Sequence, residues 1–129
     1  MKVLDVFIRP GLSLLPERMR SADAVRMLVA IGLQESGFRH RVQMAGGPAR
    51  GWWQFELIGI REVLRHPASH DLVRELATQL IYDTSSNTLY EAVAHNDALA
   101  CGVARLALWR RPEPLPGPQD EWEAWDQYI

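Results

Sequence analysis

Residues 21–56 read SADAVRMLVAIGLQESGFRHRVQMAGGPARGWWQFE, and how this stretch divides decides the fold. Its first half has a helical pattern. Val25, Leu28, Val29 and Leu33 recur at the spacing of one helix face, and Ala24, Met27 and Ile31 widen the apolar surface. Ser21 is placed to cap the first turn, and Asp23 to meet the positive helix end. Gly37 supplies the stop. A helix apolar on most sides is expected at the centre of its domain. The second half is punctuation. Gly46, Gly47, Pro48 and Gly51 force a turn-rich loop, and Trp52, Trp53 and Phe55 follow at once.

The helix delivers Glu35 and Ser36 in its last turn. The helix dipole disfavours negative charge there, and burial against Leu33, Phe38 or the aromatics would add desolvation. Both favour the protonated carboxyl that a general acid requires. The competing reading is a solvated surface glutamate. The aromatics also carry two readings, as core or as faces on which sugar C–H groups stack. Arg50 either binds a carboxylate or phosphate or pairs with a neighbouring acid.

Outward from this stretch, residues 2–8 read as a short helix or entry segment that Pro10 and Gly11 interrupt. Leu12, Leu14 and Leu15 add an apolar patch, closed by Pro16. Residues 57–65 form a helix with the stripe Leu57, Ile60, Val63 and Leu64, ended by Pro67. Ser69 is a candidate cap for the next helix, whose inner face carries Leu72, Val73, Leu76, Leu80 and Ile81. Residues 83–86 form a polar connection. From Asn87 or Thr88 an apolar stretch of one or two helices runs to Trp109. Ala94, His95, Asn96 and Asp97 interrupt it, as functional residues or as a helix junction open to water. Residues 110–118 hold four prolines and a glycine and read as extended coil. The final ten residues, DEWEAWDQYI, are expected to fold back as a short helix.

With 129 residues, 47% of them hydrophobic, residues 1–129 are expected to form one domain. The expected class is mainly α, an α+β arrangement with a small irregular or β-hairpin lobe at residues 46–55. Fourteen cationic and sixteen acidic residues leave a net charge of −2. That exerts no pull toward nucleic acid or acidic membranes, and no basic recognition helix stands out. Cys101, alone in the chain, cannot form an internal disulfide and reads as a small buried residue. His66 and His70 have a zinc-like spacing, but Pro67 lies between them and no glutamate follows His66. There is no phosphate-binding loop, no GxSxG and no CxxC, and Ser36 lacks a His–Asp partnership. Neither metal nor cofactor is expected. Asp5, Arg9 and Pro10 break the apolar start, so it does not read as a signal peptide. No run approaches the roughly 20 apolar residues of a membrane span.

Three motifs in order carry a resemblance: Glu35-Ser36 at a helix end, Gly51-Trp52-Trp53-Gln54, and Ala94-His95-Asn96. Together they resemble the lytic transglycosylase and goose-type lysozyme superfamily. The longer run, with QESGF, GGPARGWWQFE and the later ARLALW, is similar to lysozyme-like proteins of tailed bacteriophages. The resemblance reaches from near the start to about Pro116. It implies a lysozyme-like fold and cleavage of the β-1,4 bond between N-acetylmuramic acid and N-acetylglucosamine in peptidoglycan. Glu35 matches the catalytic acid and Ser36 the serine that follows it, in local structure or substrate contact. Gln54 matches the glutamine lining the glycan groove, with Phe55 beside it, and Asn96 the asparagine of the third motif. His95 stands where that family commonly has tyrosine, and Asp97-Ala98 replaces Ala-Gly.

A transglycosylase needs one carboxyl. An inverting hydrolase needs a second, at a separation of roughly 6.5–9.5 Å. Glu56 is the first candidate for it, equally readable as a residue at a helix start, and Asp97 is the second. The implied partner is the peptidoglycan glycan strand, with other phage virion proteins as further partners. The implied location is a virion, or a host cytoplasm from which the protein is delivered to the wall. A non-catalytic virion structural protein and a glycan-binding module are the rival expectations.

Overall fold

A computed structural model describes residues 3–111 of the chain. The final ten residues, and all of the proline-rich run beyond Arg111, lie outside the described residues. So does the short helix expected in that tail. The described part is mainly helical. A π-helical turn, Leu4–Ile8, runs into the short α1, Arg9–Leu12, and a 3-10 turn follows at Glu17–Met19. Then come α2, Ala22–Glu35; a 3-10 turn, Met44–Gly46; α3, Leu57–Arg65; and α4, His70–Gln79. The last two helices are α5, Ser86–Ala92, and α6, Asp97–Trp109. Among the described residues no helix is long and apolar enough to cross a membrane.

The hub is α6, not α2 as the sequence pattern predicts. Residues 99–106 are all buried, and α6 packs against the π turn, α1, α2, α3 and α4. Ala100, Cys101, Gly102 and Ala104 let neighbours approach from every side. A Cβ on Gly102 would lie 2.4 Å from Leu76 of α4, and one on Gly11 would lie 2.6 Å from the Cys101 Cβ. By contrast α2 leaves Arg26, Leu33, Gln34 and Glu35 exposed, with Leu33 at 57%. Arg105, buried in the hub, donates from Nε to the Met19 carbonyl at 2.7 Å and ties the first 3-10 turn down. Burial lowers its pKa. The Cys101 thiol meets the Ile8 carbonyl oxygen, and burial pushes it up to about 12, so it is an inert core group.

Pro10 and Gly11 do not interrupt the first helix. The π turn widens the backbone so that the Arg9 N–H reaches Leu4 O. Pro10 then falls in the first turn of α1, where no N–H is required. Ser21 caps α2 as expected, accepting from the Ala24 N–H. Gly37 ends it at φ +63°, donating to Gly32 and Leu33. Ser69 precedes α4, but its hydroxyl donates to Val63 O at 2.7 Å and joins α4 to α3 instead of capping. Ile81 is not on an inner face. The helix has ended at Gln79, and Ile81 takes φ +63° with its side chain 93% exposed. The apolar stretch after residue 85 is two helices, split at residues 93–96.

Residues 36–56 form an irregular loop, not a hairpin. Its only β pairings are the isolated bridges Val42–Arg50 and Arg50–Phe55. Six of the seven left-handed residues among those described fall between Gly37 and Gln54, so turn geometry, not sheet pairing, shapes it. Packing holds it to the body. Phe38 and Trp52 join Phe7 in an aromatic cluster, with Trp53 edge-on to Phe38 at 5.8 Å. Trp53 Nε1 donates to Leu28 O at 2.8 Å. Arg41 grips Asp97 at the start of α6 through two hydrogen bonds of 2.6 and 3.0 Å. Its guanidinium lies 4.1 Å from the centre of the Trp52 ring.

Two predictions follow from this packing. Gly32→Ala gains about 1 kcal/mol of helix propensity. Its Cβ, however, would sit 2.2 Å from the Phe38 ring inside the aromatic cluster. Overpacking of this kind costs about 1–3 kcal/mol, so the variant unfolds at lower urea than wild type with an unchanged denaturant slope. Arg41→Ala, Asp97→Ala and the double variant form a cycle whose coupling is expected at about 1–2 kcal/mol, above that of exposed ion pairs. A coupling near zero by urea titration would show that the pair does not hold the loop.

Candidate functional site

Glu35 is the last residue of α2, and the serine after it fixes where its carboxyl points. Ser36 is buried. Its hydroxyl lies 2.6 Å from Trp52 O and 3.1 Å from Gly32 O, and it accepts from the Phe38 N–H at 3.1 Å. One side chain thus terminates α2, starts the turn at residues 37–38 and pins the strand of aromatics beside the helix end. The Gln54 N–H then bonds Gly51 O, and Arg50 and Phe55 exchange two backbone hydrogen bonds. This tight turn, with Gln54 at φ +54°, returns residues 54–56 to the neighbourhood of Glu35.

Two adjoining depressions of about 340 Å³ each result. One is lined by Ile31, Trp53, Phe55, Ile58, Leu108 and Arg110 among others, the second by Ser36, His40, Gln43, Met44 and Ala49. Glu35, Gln54 and Glu56 line both. These three residues therefore stand at the junction of one elongated, open cleft.

Glu35 is exposed as a residue, yet its pKa is raised above the ordinary carboxylate value. Desolvation of the carboxyl within the cleft is the cause. The expected packing against Leu33 does not occur, because Leu33 faces solvent, and Phe38 lies in the core. The cleft walls supply the apolar surface instead. Solvent still reaches the residue, so the shift is a bias toward the protonated form and not permanent neutrality. No hydrogen bond or ion pair among the described residues holds the carboxyl, which leaves it available to a ligand.

Gln54 donates from its side-chain nitrogen to Gly51 O at 2.9 Å, with a longer contact of 3.5 Å to His40 O. Among the described residues its side-chain oxygen has no hydrogen-bond partner. Glu56 takes the N-cap position of α3 without a side-chain capping bond, and is exposed. Phe55 is half-buried on the cleft wall. Trp52 and Trp53 are core, 6% and 1% exposed, so neither ring offers a face for stacking. Arg50 is committed to the loop, donating to Gly47 O and Ala49 O and lying beside the Tyr90 ring.

The third motif takes a different place. Asn96 caps α6 by accepting from the Leu99 N–H at 3.0 Å, and its amide nitrogen is 3.4 Å from the Tyr82 hydroxyl. His95 is exposed. Neither lines either depression, so the structure does not bring them to Glu35. Asp97 is held by Arg41 and is not placed as a second carboxylate. Its group supports the loop from behind. The Ser36 hydroxyl, with an acceptor and a donor already matched, is likewise a structural tie at the cleft edge. No set of three or more potential metal ligands occurs among the described residues.

Sequence reading missed His40, Gln43 and Met44 on one side of the cleft and Ile58, Arg110 and Arg111 on the other. Ile58 had a signal: it is 67% exposed and falls off the apolar stripe of α3. Arg110 had none, since its place depends on how α6 crosses α3. No family model matches the chain, and comparison with curated proteins and with solved structures gives no match.

Proposed function

We propose that the chain is a peptidoglycan-cleaving muramidase of lysozyme-like fold, with Glu35 as general acid and then base. The observation that carries this is the junction itself. A carboxyl biased toward its protonated form stands where the two depressions meet, with an amide oxygen that has no partner among the described residues and with a second carboxyl. A polymer lying along such a cleft presents an interior bond, not an end, to Glu35.

In the transglycosylase form of the reaction, protonated Glu35 gives its proton to the bridging glycosidic oxygen as the C1–O bond breaks. The ionised carboxylate then takes the proton of the muramyl 6-hydroxyl. That oxygen bonds to C1 and closes a 1,6-anhydro ring, and Glu35 ends as it began. In the hydrolytic form Glu56 activates water, and the product carries a reducing end. A phage virion or a lysis enzyme of the host cytoplasm is the setting we propose for it.

The non-catalytic structural reading has one observation in its favour. Asn96 and Ser36, two of the residues matched to the resembled motifs, have structural hydrogen bonds. The glycan-binding module is less well supported, because Trp52 and Trp53 are core.

Glu35→Gln is expected to lower cleavage of purified peptidoglycan by about 10²–10⁴-fold, the usual worth of a general acid, while glycan binding persists. A wild type that leaves the substrate intact sinks the enzymatic reading. Mass spectrometry of the products separates anhydro-muramyl from reducing ends.

A stability difference should accompany the loss. The folded pKa of Glu35 lies above 4.5, so the folded chain holds this proton more tightly than the unfolded one. Stability from this group is greatest below 4.5 and falls as pH rises through the folded pKa. Glutamine removes that dependence. Glu35→Gln should therefore melt slightly above wild type at pH 7, and the gap should shrink at pH 4. A gap that widens on acidification would contradict the shift.

A further inference from the structure

The two ends of the cleft differ in charge. At one end the side chains are His40, Gln43 and Met44, beside the small Ala49. At the other, Arg110 and Arg111 stand over an apolar wall that includes Ile58 and Leu108. Glu35 and Glu56 line both depressions, whereas the two arginines line only one of them.

Arg110 has more capacity than its protein contact uses. Its Nη2 atom lies 3.1 Å from Glu62, whose side chain is half-exposed. Its Nε is buried with no hydrogen-bond partner. A guanidinium offers five donors in a planar fork suited to carboxylates, and a buried donor without an acceptor is an uncommon arrangement that calls for a cause. A ligand carboxylate at this end supplies one, with small adjustment of the side chain.

We propose that the Arg110 end of the cleft receives an anionic, carboxylate-bearing substituent of the glycan strand, and that Arg110 determines specificity for it. This rests on the glycan-cleaving reading and gives the cleft a direction. The strand lies with a carboxylate toward Arg110 and neutral sugar toward His40 and Gln43. The two sources of that carboxylate are the attached peptide, in strands that carry one, and the lactyl group of muramic acid, whose carboxyl is free only in strands without peptide.

The test uses the full chain carrying Glu35→Gln, so that strands are bound without being cut. Calorimetry compares three soluble probes. These are peptide-bearing glycan strands, the same strands after enzymatic removal of the peptides, and a neutral N-acetylglucosamine tetramer. Adding Arg110→Ala should weaken binding of the carboxylate-bearing probes by about tenfold, the size of one charge-assisted contact, and leave the tetramer unchanged.

Arg110→Gln, which keeps an N–H without the charge, should behave like alanine and guards against a folding defect. Glu62→Ala should not weaken the anionic probes, whereas a purely structural Arg110–Glu62 pair would make it mimic Arg110→Ala. Tighter binding of the peptide-bearing strands than of the stripped ones assigns the carboxylate to the peptide; tighter binding of the stripped strands assigns it to the lactyl group, whose carboxylate is freed when the peptide is removed. Equal binding of all three probes, or a preference that survives both Arg110 variants, overturns the inference and leaves the glycan reading standing. Failure of every probe to bind overturns both.

Discussion

One buried hydroxyl sets the geometry on which the cleft depends. Ser36 lies where α2 ends, and its oxygen bonds backbone groups of Gly32, Phe38 and Trp52. The Gly32 carbonyl also accepts from the Ser36 and Gly37 N–H groups, but the Phe38 N–H and the Trp52 carbonyl depend on this hydroxyl, and a buried polar group left unmet costs about 1–3 kcal/mol. The hydroxyl therefore does more than cap a helix. It fixes the distance between two segments sixteen residues apart, and the carboxyl of the preceding residue is carried to the cleft as a consequence. The rest of the loop follows the same logic. Gly51 at φ +76° passes so close to the Val93 carbonyl that a Cβ there would lie 2.5 Å from it, and the backbone turns back at once through Gln54.

The loop has almost no sheet and still holds a defined shape. Its backbone groups are met by one another across the turns and by side chains such as Ser36 and Gln43. Arg41 shows how. Its backbone oxygen accepts from the Gly51 N–H, its side chain bonds Asp97, and its guanidinium covers the Trp52 ring. Three separate functions converge on one residue. The hub helix, the aromatic cluster and the cleft loop are therefore linked through the N-terminus of α6. The polar residues Asn96 and Asp97 are there to make that link: one caps the helix, the other anchors the arginine.

Local signals were readable where the cause was local. The helices at residues 22–35 and 57–65, the Ser21 cap and the Gly37 stop follow from side-chain period and backbone freedom within a few residues. Glu35, Gln54 and Glu56 were also found from sequence, and they meet at one place. What escaped depended on distant partners. The choice of α6 as hub turns on Gly11 and Gly102 accepting neighbours from other helices, which no period reveals. His95 and Asn96 matched a motif, but the motif does not encode that a cap and an anchoring ion pair claim this corner. Arg110 lies at the far end of the last described helix, and only the crossing of α6 over α3 brings it to the cleft.

The raised pKa of Glu35 and its lack of a partner among the described residues have the same origin. A carboxylate at this helix end would be steadied by a neighbouring cation, yet Arg39 and Arg41 flank the turn without pairing with it, and Arg110, on the wall of the same depression, pairs with Glu62 instead. A cation beside Glu35 would favour the ionised form and remove its capacity to donate a proton. Engaging Arg110 with Glu62 and Arg41 with Asp97 leaves the acid unpaired within a cleft that also contains cations. Leaving it unpaired costs some stability at neutral pH, when Glu35 is ionised in a partly desolvated place. That sign is the one expected of a site shaped by chemistry and not by packing.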